Sequence, residues 1–403
     1  MERGARDAYT SLMPQLIRFA RRSLPMRTAL LFLVPLLAGC DSPPPLEFRI
    51  GLIGVHSGTL REASGQPGRQ GADLAVERLN AGGGVIIGGR AHRVVLIERD
   101  TDNRPDAAAL AARALINIDS VDVLIGPPTS TLAIAVAPVA EVSLIPMITP
   151  MASNPAVTAG RRMVVRLAFV DAVQGMVLAR YAYDSLGVRR AASLHDAASP
   201  HGREVTRIFR ETFEALGGSI VRVETFDVDD PRDHSPQIRR ILDTRPDAIL
   251  LPSFVVHDSA QIRVARAMGF GGRFLGSDAW DIRALSSHED ARGSIVVANW
   301  DRHADRAASR EFLAIWAARH PDEQPRATAA ATFDAIMIAA EAASRAGARS
   351  GTAVADSIRN LGPWAGALAQ FDFRGTGDPV RGAVILEVQR DSTPIRAIIT
   401  PEQ

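Results

Sequence analysis

Apolar and polar positions change period along the chain in a regular way. Short apolar runs that end in Gly, Ser or Pro alternate with longer stretches whose apolar residues recur every three or four positions. From residue 47 the run Glu47 to Val55 (EFRIGLIGV) predicts a buried strand. Gly71 to Asn80 predicts a helix that stops at Ala81-Gly82-Gly83-Gly84. A strand at Arg93 to Ile97, a helix at Pro105 to Ile118 and a strand at Val121 to Ile125 follow. A helix at Leu132 to Glu141 and a strand at Leu144 to Ile148 complete the first stretch.

The rhythm then repeats. Helices are predicted at 172–186, 203–216, 235–242 and 259–268, between strands at 191–194, 219–226, 248–251, 273–275 and 294–298. Helices at 307–319, 327–346 and 352–360 come next, then strands at 369–373, 383–389 and 395–399. Alternating strand and helix predicts parallel sheets covered on both faces. The units are too many for one sheet, so the fold class is α/β with two doubly wound lobes. Ligands in such folds sit beyond the carboxyl ends of the strands. The loops that matter are therefore those at Ser57-Gly58, Gly126 to Ser130, Thr149 to Asn154, His195 to Gly202, Pro252 to Asp258 and Gly276 to Trp280.

Residues before 47 follow a different pattern. Arg18, Arg21, Arg22 and Arg27 precede an apolar run from Ala29 to Leu37. That run is shorter than the roughly 20 residues that span a bilayer. A basic flank, a short apolar core and small residues predict a secretory signal over residues 1–39. Met13 would give a compact start to it, and Met26 a very short one. Leu37-Ala38-Gly39-Cys40 resembles the bacterial lipobox, in which the cysteine is lipidated and becomes the first mature residue. Residues 40–46, with Asp41-Ser42-Pro43-Pro44-Pro45, then form a stiff polar tether. Asp41 resembles the signal that retains lipoproteins on the inner membrane.

Composition narrows the function. The 403 residues carry 46 basic and 45 acidic side chains, and every cation other than histidine is arginine. Without lysine there is no P-loop, no Schiff base and no Ser-x-x-Lys nucleophile. Cys40 is the single cysteine, which excludes an internal disulfide and a thiolate metal cluster. Near-neutral charge and the lack of a leading helix-turn-helix argue against nucleic acid as a partner. No Gly-x-Ser-x-Gly elbow and no paired-histidine spacing is present, so neither a catalytic nor a metal site is predicted. No cofactor is predicted either. The run Gly82-Gly83-Gly84 follows a helix instead of a strand, the wrong context for a dinucleotide.

The strand-end loops carry a resemblance. Ile50 to Gly58, Gly71 to Ala75 with Asn80 to Gly84, Ile125 to Ser130, Pro146 to Pro155 and Phe333-Asp334-Ala335 occur in the order found in type I periplasmic solute-binding proteins. The chain resembles the leucine/isoleucine/valine-binding group over residues 47 to about 390. The resemblance implies a Venus-flytrap of two lobes joined by three crossovers near 169, 300 and 367. Lobe 1 would comprise 47–168 and 300–366, lobe 2 169–299 and 367–403. It also implies a small-molecule ligand (an amino acid or a related carboxylate or amide), an ABC permease as partner, and a periplasmic location, lipid-anchored to the membrane. The alternative is a sensor module that hands ligand occupancy to a separate membrane receptor.

Residue by residue, Ser130 and Ser153 match the hydroxyls that hold a ligand carboxylate, and Met151 matches a position that contributes through its backbone. Ser130 also opens a helix after a strand, where free amides favour an anion. Asp278, in Gly276-Ser277-Asp278, matches the acidic partner of a ligand ammonium. Three tyrosine positions differ: Val255, His201 and Ser64 stand there. The lining is thus rewritten, and the side-chain specificity with it. With three tyrosines in the whole chain, a carbohydrate ligand is disfavoured.

Overall fold

The computed structural model describes residues 45–399, apart from 228–232, 281, 301, 303–305, 350 and 391. Residues 1–39, expected to be a secretory signal, and Cys40 lie outside the described residues. The first sheet holds β1 (Glu47–Gly54), β2 (Val85–Ile87), β3 (Arg90–Asp100), β4 (Val123–Ile125), β5 (Met147–Thr149) and β6 (Val164–Arg166), in the order β2-β3-β1-β4-β5-β6. All of its pairings are parallel except β2 with β3. Its helices are α1 (Gln66–Ala81), α2 (Pro105–Asn117) and α3 (Ser130–Val142).

The second sheet follows α4 (Asp171–Arg180). It contains β7 (Arg190–Asp196), β8 (Ser219–Phe226), β9 (Ala248–Leu251), β10 (Arg273–Gly276) and β11 (Ile295–Ala298). Its helices are α5 (Pro200–Ala215), α6 (Ser235–Leu242), α7 (Val255–Ala267) and α8 (Ile282–Ser286). Next come α9 (Ala307–Arg319), α10 (Ala327–Ala346) and α11 (Gly351–Arg359). A small ribbon of β12 (Trp364–Ala365) and β13 (Gln370–Phe371) precedes β14 (Ala383–Glu387) and β15 (Ile395–Ile399). The second sheet's order is β15-β14-β11-β10-β9-β7-β8, with β14 and β15 antiparallel.

The chain therefore forms two α/β lobes, each with a parallel-sheet core covered on both faces. The period of two in β1 sends Phe48, Ile50 and Leu52 to one core and Ile53 to the other. The first of these cores is built largely from α1 and α10. Gly71 permits their close approach, because a Cβ there would stand 2.1 Å from the carbonyl oxygen of Ala329.

Two crossings between the lobes lie near 169 and 299, and one buried side chain joins them. Arg381 Nη1 donates to the carbonyl of Leu167 at 2.6 Å, and its Nη2 donates to that of Asn299. The third crossing lies beyond the position expected from the sequence. Ala367, Leu368, Phe371 and Phe373 are buried in the first lobe's core, and Arg166 holds Asp378 there at 2.6 Å. The chain rejoins the second sheet at Ala383. The apolar run 369–373 reads as a strand of the second lobe, yet among the described residues it pairs with β12 as a ribbon and, through Asp372, with Val380.

The motif Phe333-Asp334-Ala335 has a structural task. Asp334 is buried in α10 and accepts the backbone N–H groups of Ala367 and Leu368, both at 2.8 Å. Burial lifts its carboxyl to about 7, against the pull of those two amides.

Candidate functional site

A cavity of about 200 Å³ opens where the strand-end loops of both sheets meet. Ser64, Thr129, Ser130, Met151 and Ser153 line it from the first lobe. His201, Phe254, Asp278 and Trp280 line it from the second, and Asn299, Trp300 and Arg302 from the second crossing. Of the residues expected at the site, Ser130, Ser153, Met151, His201 and Asp278 come together here. Val255 opens α7, its side chain is outside the described residues, and its neighbour Phe254 faces the cavity. Trp280 both lines the cavity and packs in the second lobe's core, with its indole N–H donated to the carbonyl of Leu251 at 2.9 Å.

The first lobe's half of the site is an array of donors. Ser130 is the first residue of α3 and Thr129 is its cap, in extended conformation and with no side-chain capping bond. The first amides of α3 are thus left without a cap, and the positive end of the helix dipole lies there. Thr129 Oγ1 is buried with no hydrogen-bond partner among the described residues. Ser130 Oγ accepts the backbone N–H of Ser153 at 3.2 Å and of Asn154 at 3.1 Å. Both lone pairs are then occupied and its hydrogen remains to be given. The loop bearing Met151 and Ser153 is held from behind by Arg166, which donates to the carbonyl of Ala152 at 3.1 Å and to Thr158 Oγ1 at 2.6 Å.

The second lobe's half is a charged cluster around His201. Its Nδ1 is 2.7 Å from Asp171 Oδ1 and 3.2 Å from Ser153 Oγ. Its Nε2 is 3.0 Å from Ser277 Oγ and 4.0 Å from Asp278 Oδ1. Burial lowers the imidazolium's pKa, but Asp171, by charge and hydrogen bond, and Asp278, by charge, outweigh it and hold it above the usual value. Burial pushes the Asp278 carboxyl up to about 6, with His201 pulling it down. Asn299 Nδ2 donates to Asp278 Oδ2, and the Asp278 N–H is given to Gln174 Oε1 at 3.1 Å.

Asp171, Gln174 and Asn299 escaped the reading of the sequence. An acidic residue in the first turn of a helix has an ordinary explanation there, since it complements the dipole whether or not it faces a site. Among the described residues no group of His, Cys, Asp or Glu is arranged to hold a metal ion. None of the described helices is long and apolar enough to cross a membrane.

Residues 47–393 match the family model for periplasmic binding proteins. The chain belongs to that family. It is of the type I class, in the branched-chain amino acid group. The Leu/Ile/Val-binding protein of Citrobacter freundii is 26% identical over 271 residues, which cover 65% of this chain and 72% of that one. A leucine-binding protein from Thermotoga maritima superposes with a TM-score of 0.80 at 28% identity, covering 88% of this chain and 99% of that chain. A solute-binding protein of an ABC transporter from Rhodopseudomonas palustris, solved with 3,4-dihydroxybenzoic acid, superposes with a TM-score of 0.78 at 23% identity, covering 88% and 98%. These proteins are solute-binding receptors, and the chain is a binding protein, not an enzyme.

Proposed function

We propose that this periplasmic binding protein is the solute receptor of an ABC importer, taking a small carboxylate into the cavity between its lobes. The observation that carries this reading is the uncapped start of α3, where Thr129 Oγ1 has no partner and Ser130 keeps a hydrogen to give. A carboxylate would accept from these groups, from the α3 amides and from Ser153 Oγ, with Met151 contributing through its backbone. His201, Asp278 and the 254–255 segment would meet the rest of the ligand. The relatives' names point the same way, since leucine and dihydroxybenzoic acid both carry a carboxylate.

Closure follows from the site's two-sided lining. A ligand that touches both lobes stabilises the closed arrangement over the open one by its extra contacts, and a permease would read that difference. The lobes in this scheme are 47–168 with 300–378, and 169–299 with 383–399. Cys40 is the proposed point of lipid attachment, tethering the receptor to the periplasmic face of the inner membrane. Cys40→Ser would release the protein from membranes, and its persistence in the membrane fraction would exclude the anchor.

A thermal-shift screen across amino acids, amides, carboxylic acids and short peptides tests the ligand class. A native-state ligand raises the melting temperature by linkage. Stabilisation by carboxylates and not by their amides is expected. Equal stabilisation by both would contradict the carboxylate reading.

A further inference from the structure

Asn299 stands where the three crossings meet, and it also lines the cavity. It lies on the second crossing and is 5% exposed. The first crossing reaches it through the Phe169 N–H, which is donated to Asn299 Oδ1 at 3.3 Å. The third reaches it through Arg381, whose Nη2 donates to the Asn299 carbonyl while its Nη1 holds the Leu167 carbonyl at 2.6 Å. A further bond leads into the site, where Asn299 Nδ2 donates to Asp278 Oδ2.

These partners fix which way the amide faces. A backbone N–H can only donate and a carboxylate only accepts, so Oδ1 must face Phe169 and Nδ2 must face Asp278. Resonance keeps Oδ1 and Nδ2 in one plane, as in a peptide bond. A turn of that plane to follow Phe169 therefore swings Nδ2 against Asp278. Arg381 restrains the backbone of Asn299 against adjusting instead. Its guanidinium is buried 5.5 Å from the ring centroid of Phe169 and 5.7 Å from that of Phe371, and its Nε has no hydrogen-bond partner among the described residues. Its hydrogen bonds therefore go to the carbonyls of two crossings. Asp278 is held on its other side by the same region, since its N–H is given to Gln174 Oε1 at 3.1 Å and Gln174 lies in α4, directly after the first crossing.

We infer that Asn299 is a positioning residue that couples the aim of Asp278 to the lobe crossings. When the lobes rotate, the crossings twist. Phe169, Asn299 and Arg381 then shift relative to one another, and the Asn299 amide carries that shift to the carboxylate in the cavity wall. Asp278 is presented in its present setting at one angle between the lobes, and a ligand that engages it there stabilises that angle. The inference rests on the lobe closure read above. It does not depend on whether the ligand bears a carboxylate.

Hydrogen exchange at the Phe169 amide, followed by NMR on the chain without ligand, tests this. Asp278→Ala removes the acceptor of Asn299 Nδ2 and is expected to speed exchange at Phe169 by roughly tenfold or more. Asp278→Asn keeps an acceptor there and is expected to restore slow exchange. A second arm follows the titration of the Asp278 carboxyl by carbon-13 NMR in Arg381→Lys, which keeps the charge and gives up the grip on two carbonyls. The midpoint is expected to rise by about half a pH unit or more, because a loosened Asn299 donor favours the carboxylate less. This arm stands even where Asp278→Ala fails to fold. Three results overturn the inference: wild-type exchange at Phe169 in folded Asp278→Ala, equal acceleration in Asp278→Asn, or an Asp278 midpoint in Arg381→Lys that stays or falls. Neither arm contains a ligand, so such a failure leaves the carboxylate reading intact, and a failed ligand screen leaves the coupling intact.

Discussion

Ser153 Oγ lies 3.2 Å from His201 Nδ1, which joins a strand-end loop of the first lobe to a helix of the second. The same nitrogen is 2.7 Å from Asp171 Oδ1. Protonation of one ring thus affects the contact between the lobes and the charge of the cavity together. The groups facing it are Asp171 from α4, Asp278 from the loop after β10, and the neutral Ser153 and Ser277. Arg302 and Arg326 lie in the same cavity wall.

A pH dependence follows, with a definite sign. The folded-state pKa of His201 is raised, so the stabilisation from its charged form is complete below its ordinary pKa of about 6.5 and is lost as pH rises through the elevated folded value. Affinity for a carboxylate should fall over the same window, because the cation disappears. Calorimetry between about pH 6 and pH 9 should show this fall in the wild type and a flatter profile in His201→Gln. A rise in wild-type affinity over that range would exclude a cationic His201.

Arg166 holds the ligand loop from behind. Its side chain is fully buried, and it engages Asp378, Thr158 and the carbonyl of Ala152 at once. Burial lowers its pKa and Asp378 opposes that effect. Arg166→Met should cost about 3 kcal/mol, because buried acceptors lose their donor. Asp378 is partly exposed and regains water, so it adds little to that figure. Urea unfolding gives the stability. Loss of ligand affinity in variant that remains folded would show the positioning effect on Met151 and Ser153.

Asp258, in the first turn of α7, is fully buried, and neither carboxylate oxygen makes a well-formed hydrogen bond among the described residues. Burial raises its pKa well above the usual range, and the Trp280 indole and the Ser253 amide offset this only in part. Below the ordinary carboxyl pKa both folded and unfolded states are protonated. As pH rises the unfolded chain ionises first, and stability is lost. Asp258→Asn should therefore stabilise the protein at pH 7 by on the order of 1–3 kcal/mol. The gain should vanish near about pH 4. Urea unfolding at the two pH values checks this, and an equal gain at both would contradict it.

The reach of the sequence follows from what each feature depends on. Strands buried on both faces, such as β1 and β9, are continuous apolar runs and are legible locally. Strand β2 is three residues between glycine pairs, Gly83-Gly84 and Gly88-Gly89, too short to show a period. The third crossing depends on which core takes Phe371 and Phe373, and both cores accept an apolar run equally. Ser130 and Ser153 were singled out by their place in motifs that resemble the family's, and both line the cavity. The network around His201 was not, because it joins Asp171, His201 and Asp278, which are far apart in sequence. Only the fold brings them within reach of one ring.

The central claim is that the start of α3, with Ser130 and Ser153, receives a carboxylate. Calorimetric titration of the wild type and of the Ser130→Ala/Ser153→Ala double variant with the acid that most raises the melting temperature tests it most directly. Loss of two hydrogen bonds to a charge predicts a weakening of about 2–4 kcal/mol in the double variant, with affinity for the corresponding amide little changed. Unchanged affinity for the acid in the folded double variant would contradict the account.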